Sequence, residues 1–269
     1  MFSGDDILSC ILAIIMSVIA SGVSNLVICF LYSKEEKEDE EKNIHALCQS
    51  CKNEYSKVAY LFPFLRKKKV SSCPNCGSMI SNQFIVMQLL NIILYIATIL
   101  YLGLNLETVL LCLFITALIT ISMVDFRIYE IPDSYNLFIL ILGIFISIID
   151  RNEIVSHLIG MVVISGFLFL VALISVFMGR EAMGGGDIKL MFASGLVLGV
   201  KGIVVAFIVG CIAGSVIHLV RMLVTKADHQ LSFGPYLAMG MVYSVFFGER
   251  TCNWYLNIIS AYGRLRNIM

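Results

Sequence analysis

Two aspartates are the residues whose type and setting best suit chemistry. Asp125 closes the third apolar stretch of the chain, and Asp187 opens a later one directly after the run Gly184–Gly186. Two carboxyl groups held close together share one proton, because like charges resist ionising together. The ionised group can then take a proton from water while the protonated group polarises a peptide carbonyl. If the fold brings them together, the two residues predict hydrolysis of a peptide bond without a metal.

Both aspartates also have ordinary structural interpretations. Asp187 stands where it could cap a helix, favourably to the helix dipole, and the three preceding glycines could form a flexible turn. Asp125 could be a loop residue paired with Arg127. The residue types alone leave these alternatives open beside the catalytic one.

A third aspartate and a lysine lie close to the same two motifs. Asp133 competes with Asp125 for a catalytic role, but it follows Pro132 at the start of an apolar run, where a helix N-cap explains it. Lys189 follows Asp187 by two residues, so the two side chains do not share a helix face. We expect Lys189 to anchor the end of its apolar segment.

Four cysteines form the second chemical constellation. The pairs Cys48/Cys51 and Cys73/Cys76 are CxxC knuckles separated by 21 residues. Such knuckles are typical of a tetrahedral Cys₄ zinc site, whose closed shell makes the metal structural instead of catalytic. A hydrophilic segment of this size has little apolar core, so it also needs a stabilising link such as a bound metal to fold. The alternative is four reduced cysteines in a loop.

The composition indicates the elements that must position these residues. The chain has 269 residues, of which 59% are hydrophobic and 14% charged, and its mean hydropathy is +0.90. This high apolar content excludes an ordinary soluble protein. The net charge is zero, so it gives no indication of nucleic-acid binding. The sequence predicts an all-α polytopic membrane protein of about eight transmembrane helices with a small cytoplasmic zinc-binding loop domain. Eight stretches lack Asp, Glu, Lys and Arg: 7–33, 84–106, 108–124, 134–149, 158–178, 190–200, 202–220 and 233–248.

Basic residues predict the orientation of these helices in the bilayer. With the N-terminus outside, the inward segments carry fourteen Lys and Arg and the outward ones five, as the positive-inside rule favours. Both aspartates then lie at the cytoplasmic edge. The predicted divisions are a first transmembrane anchor (1–33), the cytoplasmic Cys₄ domain (34–83), a membrane peptidase domain of about seven helices (84–248) and an interfacial tail (249–269).

Small residues recur at helical spacing in the later spans. Gly195/Gly199 and Gly210/Gly214 follow the small-xxx-small pattern that lets membrane helices approach closely. We therefore expect packing seams at these positions. The stretch 190–200 is too short to cross a bilayer alone, so it must extend into its flanks or be shielded by its neighbours.

The motifs together resemble those of type IV prepilin peptidases. The segment 125–133 is similar to that family's first aspartate motif, 179–189 to its second, of GxGD type, and 232–236, Ser-Phe-Gly-Pro-Tyr, to a third stretch. The double CxxC segment resembles the N-terminal extension of bifunctional bacterial members, and the similarity extends to about residue 248. The resemblance assigns catalytic roles to Asp125 and Asp187. The residues predicted to support them are Gly184, Gly185, Gly186 and Lys189, since a glycine run would let an extended peptide or another helix approach the backbone beside Asp187.

The resemblance also implies an activity and a place in the cell. Members lie in the bacterial inner (cytoplasmic) membrane with the active site facing the cytoplasm, and they cleave a short basic leader from type IV prepilins and pseudopilins after a glycine. Members with the extension typically also methylate the new N-terminus with S-adenosylmethionine. The expected partners are thus prepilin substrates and the lipid bilayer, with no nucleic acid.

Departures from the family pattern fall in the half linked with methylation. Gln83-Phe84-Ile85 stands where Arg-Tyr-Pro is usual, Gln88 where a glutamate is usual and Phe30 where an arginine is common. These changes remove charge and leave both peptidase motifs intact. A peptidase that also methylates, a peptidase alone and a different GxGD intramembrane protease all remain open, as does a transporter or scaffold without enzymatic activity.

The cysteine spacing predicts one structural zinc per chain. Purified protein should contain about one equivalent of zinc by elemental analysis, and a Cys73→Ser/Cys76→Ser double variant should contain none. Cys252→Ser, which lies outside the knuckles, is the matched control and should keep the metal. Wild-type protein without zinc would contradict the prediction.

Overall fold

The structure is a computed structural model that describes residues 4–35, 76, 83–179, 184–225 and 232–266. These residues are almost entirely helical. Two compact units divide the chain, residues 1–120 and 121–269, and the boundary falls within one helix. Seven α-helices and one 3₁₀ turn, Arg151–Glu153, are present in the described ranges. The helices are α1 Gly4–Glu35, α2 Gln83–Leu102, α3 Leu106–Ile128, α4 Asp133–Ile149, α5 Ile154–Phe177, α6 Gly185–Thr225 and α7 Gly234–Arg266.

Five of these helices are long and apolar enough to cross a membrane. The qualifying segments are Ile7–Ile28, Gln83–Leu102, Leu106–Ile128, Arg151–Phe177 and Gly185–Val224. Helix α4 is apolar but has 17 residues, and α7 continues past its apolar first half into a polar second half. The described chain is therefore that of an all-helical, polytopic integral membrane protein, as the composition predicts.

The predicted stretches 190–200 and 202–220 both lie on α6, which consists of two helical segments that meet at a kink at Gly199. The shorter stretch extends into its flank, because α6 begins at Gly185. Between the two stretches Gly199 adopts φ 66° and ψ −179°, a backbone conformation that is essentially restricted to glycine. The Val200 amide beyond the break donates to Ser156 Oγ of α5 at 3.3 Å, so a neighbouring side chain satisfies a group that the interrupted helix leaves free.

The helix ends follow local signals in the sequence. Asn105 caps α3, since its Oδ1 accepts hydrogen bonds from the Thr108 amide at 2.7 Å and the Thr108 hydroxyl at 2.9 Å. Glycines with positive φ follow the last turns of α2 and α5, at Gly103 (79°) and Gly179 (69°). Pro132 immediately precedes α4. These signals divide the apolar sequence into separate helices.

The first unit contains a buried line of polar side chains between its helices. Tyr95 Oη lies 2.8 Å from Thr116 Oγ1, which also donates to Asn91 Oδ1 at 3.1 Å. Ser24 of α1 is hydrogen-bonded to Thr120 of α3. All five residues are buried. Such bonds give specificity to helix pairing in lipid, where apolar surfaces alone do not distinguish between partners.

Small residues let the helices of the second unit approach closely. A Cβ on Gly160 of α5 would lie 2.6 Å from the Gly195 carbonyl oxygen of α6, and a Cβ on Gly195 would clash with the Gly160 backbone. A Cβ on Gly210 of α6 would lie 3.0 Å from the Tyr236 carbonyl oxygen of α7. Both seams bring backbones into direct contact, which confirms the packing role predicted for Gly195 and Gly210.

Filling the tightest seam should destabilise the second unit. Gly195→Ala puts a methyl group into the Gly160 backbone, so we expect a loss of about 1–3 kcal/mol in unfolding free energy. Gly166→Ala is the control on α5, because its Cβ would meet only Val162 Cγ1 at 3.7 Å. Thermal unfolding in detergent compares the two variants. Equal unfolding temperatures would contradict a tight backbone contact between Gly160 and Gly195.

Candidate active site

Asp125 lies in the last turn of α3 and is 5% exposed. The helix ends just beyond it, where the Tyr129 amide donates to the Asp125 carbonyl at 2.9 Å. Tyr129 itself has φ 56°, a left-handed conformation that is uncommon for a bulky residue. The chain thus turns sharply after Asp125 and leads into α4.

Two donors from the start of α7 converge on one oxygen of the Asp125 carboxylate. Ser232 Oγ donates to Asp125 Oδ2 at 2.6 Å, and the Gly234 amide donates to the same atom at 2.9 Å. Gly234 is the first residue of α7, where backbone N–H groups have no partner within the helix. The helix terminus and the serine therefore replace the water that burial removes from this carboxylate.

Glycine is required at position 234 because the backbone approaches the carboxylate so closely. A Cβ built there would lie 2.6 Å from Asp125 Oδ2 and 3.1 Å from its Cγ. Ser232 and Gly234 lie in the family-like stretch 232–236, and the sequence alone indicates no role for either residue. The Ser-Phe-Gly-Pro order is a signal for a helix start with free amides, but it does not indicate the acceptor, which lies 107 residues earlier in the chain for Ser232.

Asp187 lies in the first turn of α6 and is half-buried. It lies near enough to Asp125 for the two carboxyl groups to interact electrostatically. Among the residues that the structure describes, none donates a hydrogen bond to the Asp187 carboxylate. The fold thus brings near each other a carboxyl group that receives two hydrogen bonds and one that receives none from the described residues.

The glycines before Asp187 differ in how much space surrounds them. A Cβ on Gly186 would lie 3.0 Å from the Ile131 Cβ in the loop after α3, whereas a Cβ on Gly185 would meet nothing within 4 Å. A Cβ on Gly184 would lie 3.8 Å from Asp187 Oδ2. The missing side chain at Gly186 therefore lets the loop that follows Asp125 pack against the residue preceding Asp187.

Asp133 and Lys189 form an ion pair outside this arrangement. Lys189 Nζ lies 2.8 Å from Asp133 Oδ1 and 2.9 Å from Oδ2, and both side chains are exposed. The prediction that Asp133 caps α4 was wrong, because Asp133 is the first residue of the helix and its side chain makes no cap hydrogen bond. The Asp133 carboxylate instead forms its ion pair with Lys189, near the start of α6.

The predicted zinc ligands lie almost wholly outside the described residues. Cys48, Cys51 and Cys73 are not among them, and Cys76 is described only as an exposed residue in a turn. Residues 180–183, which precede the glycine run, are outside as well. Within the described ranges, no group of three or more His, Cys, Asp or Glu residues could hold a metal ion.

Two carboxyl groups can divide acid and base roles when one receives hydrogen bonds and the other receives none from the described residues. Burial disfavours ionisation of both acids, but two hydrogen bonds oppose this effect at Asp125. At Asp187 the charge of Asp125 adds to the effect of burial. This is the arrangement in which one proton is shared unequally and a water molecule can be activated between two acids.

Comparison with known proteins identifies relatives of the chain. Residues 112–219, which contain both aspartates, match the type IV leader peptidase family. A prepilin leader peptidase/N-methyltransferase of Bacillus subtilis (strain 168) is 30% identical over 201 residues, which cover 74% of this chain and 79% of that protein. Proteins of the same name from Legionella pneumophila and Aeromonas hydrophila are each 26% identical, over 68% of this chain and 66% and 65% of their own lengths.

No solved structure matches the chain. The match to the Bacillus protein extends over most of both sequences, and the family match contains the two acids that the fold brings together. The chain belongs to the type IV leader peptidase family.

Proposed function

We propose that this protein is a membrane aspartic endopeptidase that removes the basic leader of type IV prepilins and pseudopilins, cutting after a glycine at the cytoplasmic membrane face. One observation carries the proposal: Asp125 and Asp187, from helices distant in sequence, lie near enough for their carboxyl groups to interact electrostatically, and both fall within the segment that matches the family. The names of the relatives supply the reaction and the substrate class.

The two carboxyl groups hydrolyse the peptide bond by acid–base catalysis. The ionised carboxylate takes a proton from water as the water oxygen bonds to the scissile carbonyl carbon, and the other carboxyl group gives its proton to the carbonyl oxygen. The tetrahedral intermediate collapses when the C–N bond breaks, the departing amine receives the proton held by the first group, and a hydroxyl proton of the intermediate returns to the second. The net change is one water consumed, with both carboxyl groups restored.

The basic residues support the cytoplasmic location of the site. Fourteen of the nineteen Lys and Arg fall in the segments that face inward when the N-terminus is outside. The segments containing Asp125 and Asp187 are then both cytoplasmic ends of helices. A positively charged leader that has not crossed the membrane reaches such a site from the inner side of a bacterial cytoplasmic membrane.

Zinc and methylation belong to the proposal as parts outside the peptidase site. The four cysteines support a structural Cys₄ zinc in the cytoplasmic segment, and no hydrolytic step uses that metal. Methylation, for which S-adenosylmethionine is the expected donor, is supported by the N-methyltransferase in the relatives' names. The neutral Gln88, which stands where the family usually has a glutamate, argues against methylation. Gln88 is fully buried in the first unit, and both of its amide atoms have no partner among the described residues. Intact mass of the processed product decides between a peptidase with methylation and a peptidase alone.

Removing either carboxylate should abolish cleavage. Asp125→Asn and Asp187→Asn each remove one proton-transfer group, so we expect leader removal from a co-expressed prepilin to fall by roughly 100-fold or more. Asp133→Asn is the matched control, because Asp133 is exposed and paired with Lys189, and it should retain most activity. The readout is the intact mass of the product.

Three outcomes would redirect the proposal. Cleavage at near wild-type rate by either Asp125→Asn or Asp187→Asn removes that residue from the catalytic pair. A cut inside the transmembrane part of the substrate indicates a different GxGD protease. A wild-type protein that yields no product at all favours a transporter or scaffold.

Neighbouring glycines provide a second test of how the pair is positioned. Gly186→Ala places a methyl group 3.0 Å from Ile131 Cβ and shifts Asp187 relative to Asp125, whereas Gly185→Ala enters open space. We expect cleavage to fall roughly 10- to 100-fold for Gly186→Ala and little for Gly185→Ala. Initial rates on the same prepilin, at matched expression, compare the two. Equal rates would mean that contact with the 129–132 loop does not position Asp187.

A further inference from the structure

The hydrogen bonds around the two aspartates are distributed very unevenly. Asp125 is 5% exposed and has both of its donors on Oδ2, from Ser232 Oγ and the Gly234 amide. Asp125 Oδ1 and the Asp187 carboxylate receive no hydrogen bond from any residue within the described ranges. Hydrogen bonds to a carboxylate favour its charged form. When one proton is shared, it should therefore reside on Asp187.

Neighbouring charges do not reverse this preference. The charge of Asp125 acts on Asp187 of α6, and the groups that α7 presents to Asp125 are the neutral Ser232 and Gly234. The ammonium group of Lys189 on α6 is already paired with Asp133 of α4. The donors on Oδ2 are thus the feature that distinguishes the two acids.

We propose that Ser232 is a positioning residue that keeps the shared proton off Asp125, so that Asp125 is the base and Asp187 the acid. This assignment rests on the proposed peptidase function. Asp125 Oδ1, which receives no hydrogen bond from the described residues, accepts the proton of the attacking water, while Asp187 protonates the scissile carbonyl oxygen. When the C–N bond breaks, Asp125 returns its proton to the amine, and the intermediate's hydroxyl proton goes to Asp187.

The pH dependence of cleavage distinguishes the two assignments. The pair titrates in two steps, and the active form holds one proton. If Asp125 is the ionised member, the acidic limb of the profile reports its deprotonation, and the alkaline limb reports Asp187. Ser232→Ala removes a donor from the Asp125 carboxylate, so the acidic limb should move up by roughly one pH unit while the alkaline limb stays.

The experiment measures kcat and KM against pH for purified full-length protein in detergent with a prepilin substrate. On the acidic limb, kcat of Ser232→Ala should fall about tenfold with KM nearly unchanged, because Ser232 contacts Asp125, the proposed base, and not the peptide. Ser232→Thr, which keeps the hydroxyl, should restore the wild-type profile. Ser232→Cys keeps the volume with a weaker donor and should give an intermediate shift, which also serves if the alanine variant does not fold.

Ser244→Ala is the matched control. Ser244 is a buried serine of the same helix, and it donates to the Gly202 carbonyl at 2.7 Å, away from the aspartates. Its loss should leave both limbs unchanged. A shift of the alkaline limb alone for the Ser232 variants would reverse the assignment, and unchanged limbs would show a merely structural serine. Either result overturns this inference while the peptidase function stands, whereas active Asp125→Asn or Asp187→Asn variants defeat the function itself.

Discussion

A carboxylate that is almost fully buried at the end of an apolar helix must be surrounded by donors, and this requirement organises the second unit. Asp125 has lost its water, and an unpaired buried charge is strongly destabilising. Its two donors come from the start of α7, so the chain must return to α3 after three further helices. Glycine at 234 follows directly, because a side chain there would occupy the position of the carboxylate oxygen.

Close helix packing makes this return possible. Lipid provides no hydrophobic drive between helices, so association depends on tight backbone contact and on polar bonds. Glycines supply that contact on two sides of α6, at Gly160–Gly195 towards α5 and at Gly210 towards α7. Ser244 of α7 adds a hydrogen bond to the Gly202 carbonyl of α6. Helix α6 is thereby held on both sides, with Asp187 in its first turn.

Buried polar groups serve different purposes in the two units. In the first unit, Tyr95, Thr116 and Asn91 satisfy one another across helices, which is what helix pairing requires. In the second unit, one oxygen of Asp125 and the whole carboxylate of Asp187 have no donor among the described residues. Ionisable groups left in this condition within a membrane protein point to chemistry, since packing alone does not explain their retention.

Hydropathy and charge were sufficient to locate most of the apolar helices and to place Asp125 and Asp187 at helix ends, because these features depend on the local period of apolar residues. They were insufficient for the partners of those residues. Asp133 reads locally as a helix cap, yet it pairs with Lys189, 56 residues away. The local sequence at Ser232 and Gly234 indicates only a helix start, yet both residues donate hydrogen bonds to the Asp125 carboxylate. Only tertiary structure decides such pairings, because a hydrogen bond spans about 3 Å and the packing of several helices determines which distant groups come that close.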